Sequence, residues 1–185
     1  MSAAGPRFAD ELAAFAQGAI GAGLSPEVHA LIDQAAQLQD QPTQAQSLLE
    51  QARAAAPRHP APLIALYRFH FYGHRLEQAL VAGEDALAVA RTALGSSFGD
   101  EPPSDDEARH DAAVRFYLFA LKALAYLHLR LGQLDEAKGY LHELRRLDPR
   151  DHVGGGLLSH ILHRHRSGSA PISDYPVRGW RADAS

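Results

Sequence analysis

The side chains that could do chemistry in this sequence are its eleven histidines; it contains no cysteine. Thiolate metal sites, disulfides and a cysteine nucleophile are therefore excluded. His70 and His74 stand four apart, and His160 and His163 stand three apart with His165 beside them. On a helix either spacing places two imidazoles on one face, where they could share a metal ion. No carboxylate completes a recognised ligand motif, and no HExxH occurs. The run His160, His163, Arg164, His165 and Arg166 equally suits a helix C-terminus, where cations meet the negative end of the dipole. Gly154-Gly155-Gly156 lacks the GK[ST] that would make it a phosphate loop, and no G-x-S-x-G occurs. Asp and Glu fall on helix positions expected to face solvent, with no evident buried pair. These absences predict no catalytic residues, no metal site, no cofactor and no enzymatic activity. A histidine-based metal carrier stands as the alternative.

Recognition chemistry is better represented. Of thirteen Phe and Tyr residues, seven fall within 67–72 and 116–119. Arg68, Lys122 and Arg130 interleave with them, and aromatic and Arg side chains are the usual anchors of protein interfaces. Such cations suit an acidic or carboxylate-terminated partner. Asp100, Glu101, Asp105, Asp106 and Glu107 form an acidic stretch, either a solvated loop and helix start or a docking patch. Near the C-terminus, SDYPVRGW holds Tyr175 and the lone Trp180, which can pack on the last helix or anchor a partner. The formal net charge of −4 provides no basic field for phosphates, so nucleic acid is not an expected ligand.

Helices must position these residues. Alanine and leucine are abundant, β-branched residues are few, and no Asn-Gly or Asp-Gly marks a hairpin. Hydrophobic residues at 46% and charged residues at 22% are ordinary globular usage. Asp10 and Glu11 interrupt any signal-peptide core, and Lys122, His128 and Arg130 interrupt the most apolar stretch, 116–131. A cytoplasmic protein outside the membrane is expected. The patterning predicts a first helix at 8–18, then helices at 26–39, 43–56, 61–73, 76–94, 105–131, 135–147 and 153–166. A loop is expected at 95–104, with an S-x-x-E capping box at Ser104 and Glu107. The segment 167–185 reads as a flexible tail.

An internal period organises these helices. Ala45, Leu49, Ala52 and Pro57 are spaced 4, 3 and 5 apart, and Ala137, Leu141, Leu144 and Pro149 repeat that spacing. Ala79, Gly83 and Ala86 repeat its first two intervals, 34 residues after Ala45. This resembles the tetratricopeptide repeat, most fully in LKALAYLHLRLGQLDEAKGYLHELRRLDPRD from Leu121 on. The resemblance implies an all-α, TPR-like α-solenoid of about three antiparallel helix pairs plus a capping helix. Its divisions are an N-terminal helical extension (1–25), repeats at 26–59, 60–93 and 118–151, an insertion at 94–117, a capping helix at 153–166 and the tail.

In that family the first helix of each pair lines a concave, partner-binding groove. Carried over position by position, this implicates Gln34 and Gln37, then Ile64, Arg68, Phe71 and Tyr72, then Phe119, Lys122, Tyr126 and Arg130. The Asn positions of the chaperone-binding clamp are missing. His70 and His128 occupy a slot that normally holds Tyr, and are expected to be hydrogen-bonded under the next helix or to form a pH- or metal-responsive pair. Three runs, LIALYRFHFYGHRL (63–76), RFYLFALK (115–122) and LDPRDHVGG (147–155), further resemble TPR accessory proteins of proteobacterial nitrogen-fixation gene clusters. That likeness implies an accessory factor whose partner is a nitrogenase component or assembly intermediate. It also marks His74, in the FYGHRL turn, as a contact point; Trp180 joins the contact residues on its residue type alone.

Overall fold

Prolines set the starts of the first three helices, where a fixed φ is already helical and the missing N–H would have had no partner. The structure, a computed structural model, describes residues 23–38 and 40–168. Helix α1 is Pro26–Gln37, with Ser25 Oγ accepting from the Val28 amide at 3.4 Å. Helix α2 is Pro42–Ala55, and α3 is Pro60–Tyr72, started by His59 Nδ1 accepting from the Ala61 amide. Helix α4 runs Leu76–Leu94, α5 Asp105–His110, α6 Ala112–Arg130, α7 Leu134–Leu147 and α8 Gly156–Arg166. No strand occurs among the described residues, so the fold is all-helical. The helix expected at 8–18, the tail and Trp180 lie outside the described residues.

Consecutive helices pack on one another: α1 on α2, α2 on α3, α3 on α4, α4 on α6, α6 on α7 and α7 on α8. Small residues allow the close approaches. Helix α4 buries only Ala79, Ala82, Gly83, Ala86 and Ala90. Facing it, α6 is the central helix, with Leu118, Leu124 and Leu127 fully enclosed. By length and composition alone α6 could cross a membrane, but 72% of its apolar stretch is buried against the other helices, and core packing accounts for that character.

Two expected elements differ. The single helix predicted over 105–131 is broken at Asp111, which is extended (φ −73°, ψ 122°) and caps α6 by accepting from the Val114 amide at 2.9 Å. A short side chain that can bond the backbone two or three residues on competes with helix continuation. Ser104 and Glu107 do form the capping box, Ser104 N donating to Glu107 Oε2 at 2.8 Å and Glu107 N to Ser104 Oγ at 3.2 Å. The segment expected as an insertion also builds core: Val114, Phe116 and Tyr117 are buried with Leu63, Ile64, Ala86 and Ala90, and Phe98 sits edge-on to Tyr117 at 5.1 Å.

Candidate partner-binding face

Helices α3 and α6 meet through aromatic rings. Phe71 stacks on Tyr67 at 5.7 Å, stands edge-on to Tyr72 at 5.4 Å and reaches Tyr126 of α6 at 5.9 Å. One turn further along α6, Arg130 donates from its guanidinium to Tyr126 Oη at 3.1 Å and lies 5.8 Å above that ring. Arg68 stands four residues before Tyr72, on the same helix face. Phe71, Tyr72, Tyr126, Arg130 and Arg68 are all half-buried. Tyr67 closes the back of the cluster. Burial, with Tyr126 and Tyr72 nearby, holds its phenol above the ordinary range, and its Oη has no hydrogen-bond partner among the described residues.

The structure separates the other expected contact residues from this wall. Ile64 and Phe119, each 3% exposed, belong to the core rather than to an open face. Arg115 covers Phe119, its guanidinium 5.3 Å from the ring. Lys122 is turned inward and donates to the Val153 carbonyl at 2.6 Å, so its charge helps hold the loop before α8. Of the first-copy pair, Gln34 and Gln37 are exposed on α1.

His74 is exposed in the turn that closes α3, with a left-handed φ of +57°. The turn returns Arg75 N to the His70 carbonyl at 2.8 Å and Gly73 N to the Phe69 carbonyl at 3.1 Å. Between α6 and α7 the same pattern recurs, Gln133 N reaching the His128 carbonyl at 2.9 Å, but there Gly132 holds the left-handed position (φ +74°). A histidine where glycine would be less strained is the kind of backbone outlier that accompanies function. Gly73, by contrast, is needed for space: a Cβ there would lie 3.0 Å from the Phe69 carbonyl.

His70 and His128 occupy equivalent places and are both buried. His128 Nδ1 contacts Gln133 Oε1 at 2.7 Å and its ring stacks on Tyr140 at 5.2 Å. His70 Nδ1 is enclosed without a hydrogen-bond partner among the described residues. Burial, and then the charge of Arg75, hold the His70 imidazole below its ordinary value of 6.5. The native state therefore stays neutral where the unfolded chain takes up a proton, so stability falls as the pH drops through 6.5 and levels off below the native value. A melting temperature that declines from pH 7.5 to pH 5.5 is expected, with a shallower decline in His70→Phe; equal slopes would show that His70 does not carry the effect.

One cluster was not visible in the sequence. Asp148, 3% exposed, accepts from the Val153 amide at 2.9 Å and meets His152 Nδ1 at 2.7 Å. The other ring nitrogen of His152 lies 2.9 Å from Asp105 Oδ1, a close contact without hydrogen-bond alignment. Asp105 Oδ2 also pairs with Arg109 and Arg150, each at 3.2 Å. A carboxylate expected at the surface is thus buried, and Asp105, expected in an acidic patch, is consumed by internal ion pairs. The available signal was the i,i+4 spacing of Asp148 and His152 just past a helix end. The glycines that follow serve close packing. A Cβ on Gly155 would lie 2.5 Å from Leu144 Cδ2, and the Gly156 amide donates to Asp151 Oδ1 at 3.0 Å. This folded loop is why the last helix starts at Gly156 rather than at 153. Among the described residues no three His, Asp or Glu side chains are placed to hold one metal ion.

Together these features define a small all-helical protein with an aromatic and arginine face shared between two of its helices. The chain is 37% identical over 164 residues, 83% of its own length and 86% of the relative's, to an uncharacterised 19.8 kDa protein in the region 5′ of nifW in Azotobacter chroococcum mcd 1. It belongs to the family of that protein, and the relative supports a nitrogen-fixation gene-cluster context. No family model matches the chain, and no solved structure matches it.

Proposed function

We propose that this chain is a non-catalytic binding module of the tetratricopeptide type, an α-solenoid of antiparallel helix pairs. It acts in the cytoplasm as an accessory factor that holds a nitrogenase component or an assembly intermediate. The observation that carries the reading is the Phe71–Tyr126 contact with Arg130 against it. It joins α3 and α6 into one wall of rigid rings and a delocalised cation, the side-chain types that anchor interfaces. His74 follows Tyr72 by two residues, in the turn that closes α3. The relative beside nifW supports the choice of partner class.

The test is affinity capture by the full-length chain from host cells grown with and without fixed nitrogen. Recovery of a nitrogenase component only from nitrogen-fixing cells is expected. Arg130→Ala combined with Tyr72→Ala should reduce that recovery about tenfold, while the melting temperature changes by only a few degrees. Wild-type recovery by this double variant would remove the wall from the binding site.

A further inference from the structure

We infer that the groove between α7 and α8 is a second docking site, built for an acidic amphipathic helix of a partner protein. It shares no residue with the aromatic wall and does not depend on that assignment. The groove has a volume of about 640 Å³; Leu141 and Leu162 lie buried at its base, and the exposed side chains of Lys138, Arg145 and Arg166 bring their aliphatic stems to its walls. Along one side, Lys138, His142 and Arg145 follow one another at i, i+4 and i+7 on α7. Along the other, Ser159, His163 and Arg166 stand at the same spacing on α8. Each stripe therefore spans two helical turns, roughly 10 Å.

Among the described residues no carboxylate lines this groove, in a chain whose net charge is −4. Two of its cations are partly matched: Arg146 pairs with Glu143, and Arg166 with Asp135. Lys138 and Arg145 are exposed and make no ion pair among the described residues. Local charge opposite in sign to the whole steers an anionic partner to this place rather than to the rest of the surface. The carbon-rich walls select further. A free phosphate or a solvated polyanion would leave the exposed aliphatic stems of Lys138, Arg145 and Arg166 against water, whereas the leucines of an amphipathic helix would cover them. An extended strand finds no purchase, because α7 and α8 satisfy their backbone groups internally and present no hydrogen-bonding edge. What fits is a helix of two to three turns with large aliphatic residues on one face and Asp or Glu flanking them.

The probe is a fluorescein-labelled synthetic helix of about 15 residues, with leucines at i, i+4, i+7 and i+11 and glutamates on both flanks. Its binding to the full-length chain is followed by fluorescence anisotropy. Amide shifts in a nitrogen-15-labelled sample locate the site. Saturable binding is expected, with shifts confined to α7 and α8 and affinity falling between about 50 and about 500 mM NaCl. Lys138→Glu with Arg145→Glu should weaken binding at least about tenfold with an unchanged circular dichroism spectrum, since both side chains are exposed. Arg130→Ala should bind as wild type, which separates this site from the aromatic wall. Equal affinity for a scrambled peptide of the same composition would overturn the proposal in favour of non-specific anion adsorption. Sedimentation with phosphatidylglycerol vesicles that the double charge reversal abolishes, without saturable peptide binding, would overturn it in favour of a lipid surface. Shifts outside α7 and α8 would overturn it as well.

Discussion

Replacing Asp148 by alanine is expected to lower the unfolding free energy by about 2–4 kcal/mol, the range for stripping partners from a buried, charge-assisted network. Asp148 is 3% exposed and satisfies both the Val153 amide and His152 Nδ1. Its removal leaves a buried amide and one side of an imidazole without acceptors, and water has little access to replace them. The damage spreads because Val153 is also where Lys122 is anchored, at 2.6 Å, and because the following glycines seat α8 on Leu144. Urea unfolding measures the loss. Asp148→Asn keeps an oxygen for the Val153 amide and gives up the carboxylate, so it should fall between wild type and Asp148→Ala. A loss under about 0.5 kcal/mol for Asp148→Ala would mean that the loop is held by its glycine packing alone, because exposed pairs contribute only that much.

The same loop shows where sequence reasoning stops. Helix starts were readable because their chemistry is local: proline at Pro26, Pro42 and Pro60, and the Ser104–Glu107 capping box. The break at Asp111 was missed although its cap is local too, since the apolar pattern runs on across it and outweighs one aspartate. Asp148, His152 and Asp105 could not be assembled from spacing alone. Asp105 is 43 residues before Asp148 in the chain, and only the packing of α5 beside the loop after α7 brings them together. On the candidate wall, the resemblance to the tetratricopeptide repeat implied one concave face holding Ile64, Arg68, Phe71 and Tyr72 together with Phe119, Lys122, Tyr126 and Arg130. It could not tell which aromatic faced inward. Ile64 and Phe119 stand at the same nominal face, yet both are enclosed in one core cluster with Phe116 and Tyr117. Lys122 was misread for a related reason: its partner is a backbone carbonyl, and a backbone acceptor leaves no trace in side-chain patterning.

Gly83→Leu is expected to cost about 3 kcal/mol and so to lower the melting temperature by about 6–12 °C, given the overpacking penalty and the size of the chain. Gly83 stands where the matching intervals elsewhere in the chain place Leu49 and Leu141, and the structure gives the reason for the difference. A Cβ at Gly83 would lie 3.0 Å from Leu124 Cδ2 and 3.7 Å from Tyr67 Cδ2, so the space is already occupied from α6 and α3. Leu124 is fully buried and cannot swing outward. A leucine at 83 must therefore lift α4 off α6, and close-packed interiors transmit such a shift rather than absorb it. Tyr67 is the ring on which Phe71 stacks, and Phe71 is the ring that meets Tyr126. Displacing it should open the wall, weakening the near-ultraviolet circular dichroism of the tyrosines and the capture of the partner together. Gly83→Ala is the control. A single methyl meets the far end of one leucine side chain, and the gain in helix propensity, about 1 kcal/mol, offsets that contact. If Gly83→Leu melts like wild type, the α4–α6 crossing is looser than the 3.0 Å approach implies, and the geometry of the wall is not set there. If instead it is destabilised while partner capture per folded molecule is unchanged, the Phe71–Tyr126 contact is part of the core, and the partner is held elsewhere.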